Sequence, residues 1–233
     1  MKLKKIASLA LAGVMAMSML AGCAKGNVQP EPTPTPDEPA NTAAVDILYS
    51  ELTGSAKENV TAVANAELDT ALTNAVNKYW DYNSGADWGL DYPHFSHIGY
   101  DYLTDVRIGR IGDAVKSAVG ANYNDMSDNA GFSNAEDAND RSVVEVFAIA
   151  ASTSDEYALE LLAERIDWAV SNLPTEGGKE QNDWTVEGDK KPNYDYSYTI
   201  SASVTEKTVT FAGVEQGVKY VAVMLNKTAT EKA

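Results

Sequence analysis

Apolar residues recur every four positions at Val60, Ala64, Leu68, Leu72, Val76 and Trp80, the spacing that lines up side chains along one face of a helix. Just ahead of them, Ser55-Ala56-Lys57-Glu58 has the hydroxyl and the carboxylate of a capping box. The pattern therefore predicts a helix that opens near Ser55 and runs to Trp80. A shorter apolar stretch at 45–52 predicts a helical turn or two before it. Val106, Ile111, Val115 and Val119 predict a further helix over about 105–119, weakened by Gly109 and Gly112 and stopped by Gly120.

The period then changes. Residues 143–150 (VVEVFAIA) form a short run of β-branched and small residues, which reads as a strand buried on both faces. Thr153-Ser154-Asp155-Glu156 is a second capping box, opening a helix whose inward face is Leu159, Leu162, Ile166, Ala169 and Leu173, and which Pro174 ends. On that helix Glu160, Glu164 and Asp167, with Arg165 nearby, read as a solvated face. After a polar loop over 175–193, alternation of period two predicts three strands: one with Tyr196, Tyr198, Ile200 and Ala202 on one face, one holding Val209 and Phe211, and one at 218–225. Glu206-Lys207 and 213–217 are short enough to be the hairpin turns between them. The expected fold class is α+β: two or three N-terminal helices, then β-α-β-β-β, with a roughly four-stranded, largely antiparallel sheet packed on one side by helices.

The first residues read as an address. Three lysines precede an uncharged run from Ile6 to Met19, 14 residues long. As a helix it would span about 21 Å, short of the ~30 Å of a bilayer's hydrocarbon core, so it reads as a secretory signal peptide. Leu20-Ala21-Gly22-Cys23 resembles the lipobox of bacterial lipoprotein precursors. That resemblance implies cleavage before Cys23, diacylglycerol on the Cys23 sulfur and an anchor in the cell membrane, with the chain on its outer, extracytoplasmic face. Cys23 is the one cysteine in the sequence, so no disulfide is expected. Residues 24–41 hold five of the eight prolines and read as an extended tether, similar to those of Gram-positive lipoproteins. The expected organisation is a signal peptide at 1–22, a lipidated cysteine and proline-rich tether at 23–41, and one α+β extracytoplasmic domain at 42–233.

Charge narrows the partners. Thirty-four acidic residues face eighteen basic ones, a formal net charge of −16, and three of those lysines lie in the leader. Phosphate-tracking proteins need clustered Lys and Arg, so a nucleic-acid partner is excluded, as is electrostatic docking on anionic lipid. Membrane attachment is expected through the lipid anchor alone.

Two windows stand out chemically. Residues 80–102 hold seven of the chain's 20 aromatics, both histidines and no basic residue. Aromatics of a long loop can plug its own interior. Alternatively, Trp80, Tyr82, Trp88, Tyr92, Tyr100 and Tyr102, interleaved with carboxylates, make a surface suited to sugars, peptides or cations. A third reading is a metal site at Asp91, His94, His97 and Asp101, with Asp105 beyond, where two imidazoles and carboxylates could complete a zinc shell. Pro93 and Gly99 interrupt regular helix there, and no H-E-x-x-H is present. Residues 121–140 carry five carboxylates and five asparagines, a composition that suits calcium. They miss the EF-hand pattern, which would put Met126 and Ala130 at ligand positions, and Asx-rich turns explain the same composition.

No G-x-S-x-G elbow occurs, and abundant carboxylates do not by themselves mark a catalytic pair. The expected function is a membrane-anchored, extracytoplasmic, non-enzymatic module that binds a ligand or an envelope partner (protein, glycan or peptide) through the aromatic and acidic loop. The alternatives are a metal-dependent extracellular hydrolase using His94 and His97, with calcium or zinc as cofactor, and a purely structural envelope module.

Overall fold

A computed structural model describes residues 42–79, 101–106, 109–122, 125–126, 140–177, 194–211 and 214–232, all within one compact unit spanning Pro36–Ala233. The leader, Cys23 and the tether lie outside the described residues, as do Trp80, Tyr82, Trp88, Tyr92, Tyr100, Asp91, His94 and His97.

The elements in chain order are α1 (Ala43–Glu51), α2 (Gly54–Asn59), β1 (Thr61–Ala62), α3 (Ala66–Tyr79), β2 (Thr104–Asp105), α4 (Arg110–Ala118), β3 (Arg141–Ala150), α5 (Asp155–Ser171), β4 (Glu176–Gly177), β5 (Tyr194–Phe211) and β6 (Val214–Glu231). The six strands form one sheet in the order β1-β5-β6-β3-β2, with β4 also on β5. Only β1 runs parallel to its partner among these pairings. The α+β reading holds, but the sheet has six strands rather than four.

The helices cover both faces of this sheet, not one. Along β3, Val143, Phe147 and Ile149 join Val221, Val223, Leu225 and Ile200 in a core under α1 and α5. The intervening Val144, Val146 and Ala148 join Val218, Tyr220, Ala222 and Met224 in a second core under α3 and α4. Seven consecutive residues of β3 are buried, so both its faces must be covered and one helical layer could not suffice.

The expected third strand is absent, because β5 continues for 18 residues where a turn was expected. Glu206 and Lys207 lie inside the ladder opposite Lys219 and Val218, and the ladder closes at Phe211 opposite Val214. Neither Glu nor Lys favours the positive φ of a tight hairpin turn, so nothing there reverses the chain. Gly217 is likewise within β6; a Cβ on it would stand 2.7 Å from Ala151 Cβ and 2.8 Å from Thr208 Cγ2, so glycine lets the β3–α5 corner close against the hairpin.

The long first helix is also broken. Thr53, not Ser55, caps α2, its Oγ1 accepting the Ala56 N–H at 3.5 Å. Val60 is extended, and Thr61-Ala62 adds to the edge of β5. Asn65 Oδ1 then accepts the Leu68 N–H at 3.0 Å and starts α3, whose buried stripe is the expected Leu68, Leu72 and Val76. The β-branched pair Val60-Thr61 and the capping preference of Asn65 outweigh the four-residue period. In the same way Val106 lies between β2 and α4 rather than in a helix, and Gly120 ends the last turn of α4 with φ +65°.

The fifth helix matches its expected inward face, with Ser154 as the cap, its Oγ accepting the Tyr157 N–H at 3.2 Å. Asp167 is not simply solvated: its Oδ1 accepts the Thr53 N–H at 2.8 Å and its Oδ2 the Thr53 hydroxyl at 3.0 Å. Asn59 Nδ2 donates to the Val170 and Ser171 carbonyls, so α2 closes the C-terminal end of α5. At the other end, buried Lys219 pairs with Asp155 and donates to the Thr153 carbonyl at 2.5 Å. The two ends of α5 are thus held, the N-terminal one by β6 and the C-terminal one by α2.

Candidate functional site

The inward face of α5 uses Leu159, Leu162, Ile166 and Ala169. A different stripe, Tyr157, Leu161, Arg165 and Trp168, follows at intervals of four, four and three residues and so occupies one further line along the helix. Trp168 is 64% exposed, the most exposed of the large hydrophobic side chains among the described residues. Single exposed apolar side chains are common on folded proteins, so Trp168 takes its meaning from what lies beside it.

Arg165 turns this stripe toward the sheet edge. Its guanidinium carbon sits 4.9 Å from the centre of the Phe147 ring on β3, and Nη2 lies 4.0 Å from Asp105 Oδ2 on β2. β2 brings Asp105 there because Asp105 is opposite Phe147 in the ladder, and the Val106 N–H donates to the Val146 carbonyl at 3.0 Å. Two residues further along β3 on the same face is Glu145, only 2% exposed. Its Oε2 accepts the Met126 N–H at 3.1 Å. Burial pushes the Glu145 carboxyl up to about 7, and the charges of Asp105 and Asp125 push the same way, against the Met126 hydrogen bond and Arg165.

Between these groups is a cleft of about 160 Å³ lined by Met126, Glu145, Arg165, Ile166, Trp168 and Ala169. It combines an apolar wall, an aromatic rim, a carboxyl on the floor and a guanidinium at the side. The cleft is smaller than the usual small-ligand pocket, but it brings polar groups and a carboxyl of displaced pKa together beside an apolar wall.

Parts of both chemically unusual windows are described, and one of them meets the cleft. The first returns at Asp101 and Tyr102, both exposed, Tyr102 by 51%, three residues ahead of Asp105. The second leaves α4 at Asn122, whose N–H donates to the Ser142 carbonyl at 2.8 Å and whose Oδ1 accepts the Ser142 N–H at 3.2 Å. It touches the cleft at Asp125 and Met126 and comes back at Asp140, whose Oδ1 accepts the Ala229 N–H at 3.0 Å. Two of its oxygen-bearing side chains therefore hold sheet edges. Of the sequence candidates in residues 80–105, Tyr102, Asp101 and Asp105 are described; Trp80, Tyr82, Trp88, Tyr92, Tyr100, Asp91, His94 and His97 lie outside the described residues. Among the described residues no group of three or more His, Cys, Asp or Glu is placed to hold a metal ion.

Sequence reasoning missed Trp168, Arg165 and Glu145 as a group. A signal for Glu145 was present: it is the one charge in the otherwise apolar run 143–150. Trp168 was equally visible as an aromatic off the inward phase of α5. No protein-family model matches the chain, and no curated protein and no solved structure shows significant similarity to it.

Proposed function

We propose that this chain is a lipid-anchored, extracytoplasmic binding module, held by Cys23 and its proline-rich tether, that captures an envelope ligand non-enzymatically. The observation that carries this reading is an outward indole beside a polar cleft: Trp168, 64% exposed on α5, lines the cleft that holds Arg165 and Glu145, and the acidic window contributes Met126 to it. Trp80, Tyr82, Trp88, Tyr92 and Tyr100 extend the contact surface in this reading, and Trp168 anchors it. Aromatic and arginine side chains fit that role because they give large contact area with few rotatable bonds. The lipobox supports the address, and the net negative charge supports a partner other than nucleic acid.

The test is retention of envelope material, glycan or protein, by the immobilised full chain. Trp168→Ala is expected to reduce retention at least tenfold without moving the melting temperature, because the side chain is largely in solvent. Equal retention by wild type and variant would remove the cleft from the account.

A further inference from the structure

The cleft has a size and a charge balance that select among ligands. A cavity of about 150 Å³ holds one benzene ring, so about 160 Å³ takes one six-membered ring and little more. Asp105 stands against Arg165 at 4.0 Å and Asp125 also acts on Glu145, so carboxylates outnumber the one guanidinium around the cleft. An anionic ligand would meet that excess, and a cationic one would compete with Arg165 for Asp105, each at a cost. A neutral ligand rich in hydroxyls would do neither. A guanidinium carries five N–H donors, more than one carboxylate contact uses, and a carboxyl accepts or donates according to its protonation. Trp168, largely exposed, lines the cleft together with the apolar side chains of Met126, Ile166 and Ala169.

These features have one common fit: a ring with an apolar C–H face and a polar rim. We propose that the cleft between β3 and α5 binds a single neutral pyranose sugar. The ring stacks on the Trp168 indole, and its hydroxyls face Arg165 and Glu145. This rests on the binding-module reading and names the class of ligand for it. Polar pairing of hydroxyls in a small desolvated site together with aromatic stacking is sufficient for millimolar affinity, and a glycan bearing several such rings would gain by avidity on a membrane that displays many copies.

The experiment is saturation-transfer NMR and calorimetry on the full chain, in a detergent without a sugar headgroup. The probes are glucose, galactose, mannose and N-acetylglucosamine, with lysine and glutamate as charged probes of similar size. At least one neutral sugar is expected to bind saturably. Trp168→Ala is expected to weaken it at least tenfold, while Tyr157→Ala, eleven residues earlier on the same helix, leaves it unchanged. The matching disaccharide and trisaccharide separate a free sugar from the end of a glycan: equal affinity supports the first source, higher affinity the second. No saturable binding of any neutral sugar, or binding indifferent to Trp168→Ala, overturns the inference. If no neutral sugar binds, binding of lysine or glutamate in its place, or continued Trp168-dependent retention of envelope material, sinks the sugar and leaves the binding module standing. Loss of that retention as well would sink both.

Discussion

Replacing Phe147 with alanine is expected to lower the unfolding free energy by about 3–5 kcal/mol, the usual range for deleting a fully buried phenylalanine. The ring is fully buried at the centre of the sheet, opposite Asp105 on one side and Val221 on the other. Its loss leaves a cavity in the core under α5, where the sheet and helix are both fixed and collapse is limited. The Arg165 guanidinium would also lose the surface on which it lies, 4.9 Å from the ring centre. Typical domains have only about 5–15 kcal/mol to lose, so the variant should be close to the limit of folding at 37 °C. Urea denaturation measures the change directly. Hydrogen exchange at the Val106 amide, which bonds to the Val146 carbonyl, should accelerate as the β2 edge loosens. A loss below about 1 kcal/mol would mean that the two-sided core is not the source of stability.

Glu145 is expected to make stability fall as pH rises through the neutral range. Its ordinary value is 4.5 and its folded value about 7. Between these the folded chain keeps a proton that the unfolded chain has released, so raising the pH favours unfolding. The slope is about 1.4 kcal/mol per pH unit, and the accumulated cost above pH 7 is about 3 kcal/mol. Glu145→Gln keeps an oxygen for the Met126 N–H and removes the buried charge. The variant should match wild type near pH 4.5 and exceed it at pH 8 by up to about 3 kcal/mol, which is roughly 6–12 °C in melting temperature for a domain of this size. The excess of carboxylates over basic groups pushes in the same direction, because acidification relieves their repulsion. Salt separates the two: a surface effect is screened at about 1 M, whereas the cost of burying one carboxylate persists. A wild-type melting curve flat between pH 5 and 8 in high salt would contradict the assignment of Glu145.

Much of the fold was legible because burial imposes periodicity. The stripe Leu68, Leu72, Val76, the inward face of α5 and the β3 run were read from spacing alone, and all are buried except Ala150 at the end of the run, which is half-buried. What was misread depended on choices between near-equal local signals. Ser55 and Thr53 are both capping residues two positions apart, and only packing of Thr53 on Asp167 of α5 decides between them. Glu206-Lys207 is compatible with a turn in length, but the long β6 partner offers hydrogen bonds that outweigh a reversal. The number of helical layers was implicit in β3, since seven consecutive buried residues need cover on both sides. The cleft was less accessible because its parts come from β2, β3, α5 and residues 125–126, which are far apart in sequence. Glu145 in the otherwise apolar run 143–150 was the strongest clue that a polar site lay against the core.

The account's central claim is that Trp168 marks the binding surface, and fluorine NMR tests it most directly. The chain has four tryptophans, so incorporation of fluorotryptophan gives four probes, with Trp168→Phe assigning one of them. On titration with envelope glycan, the Trp168 signal is predicted to shift, with Trp80 and Trp88 joining it if the aromatic window shares the contact. Trp184, in the polar loop, should stay in place. A ligand that shifts Trp184 alone, or an envelope fraction that leaves all four signals unmoved, would contradict the claim.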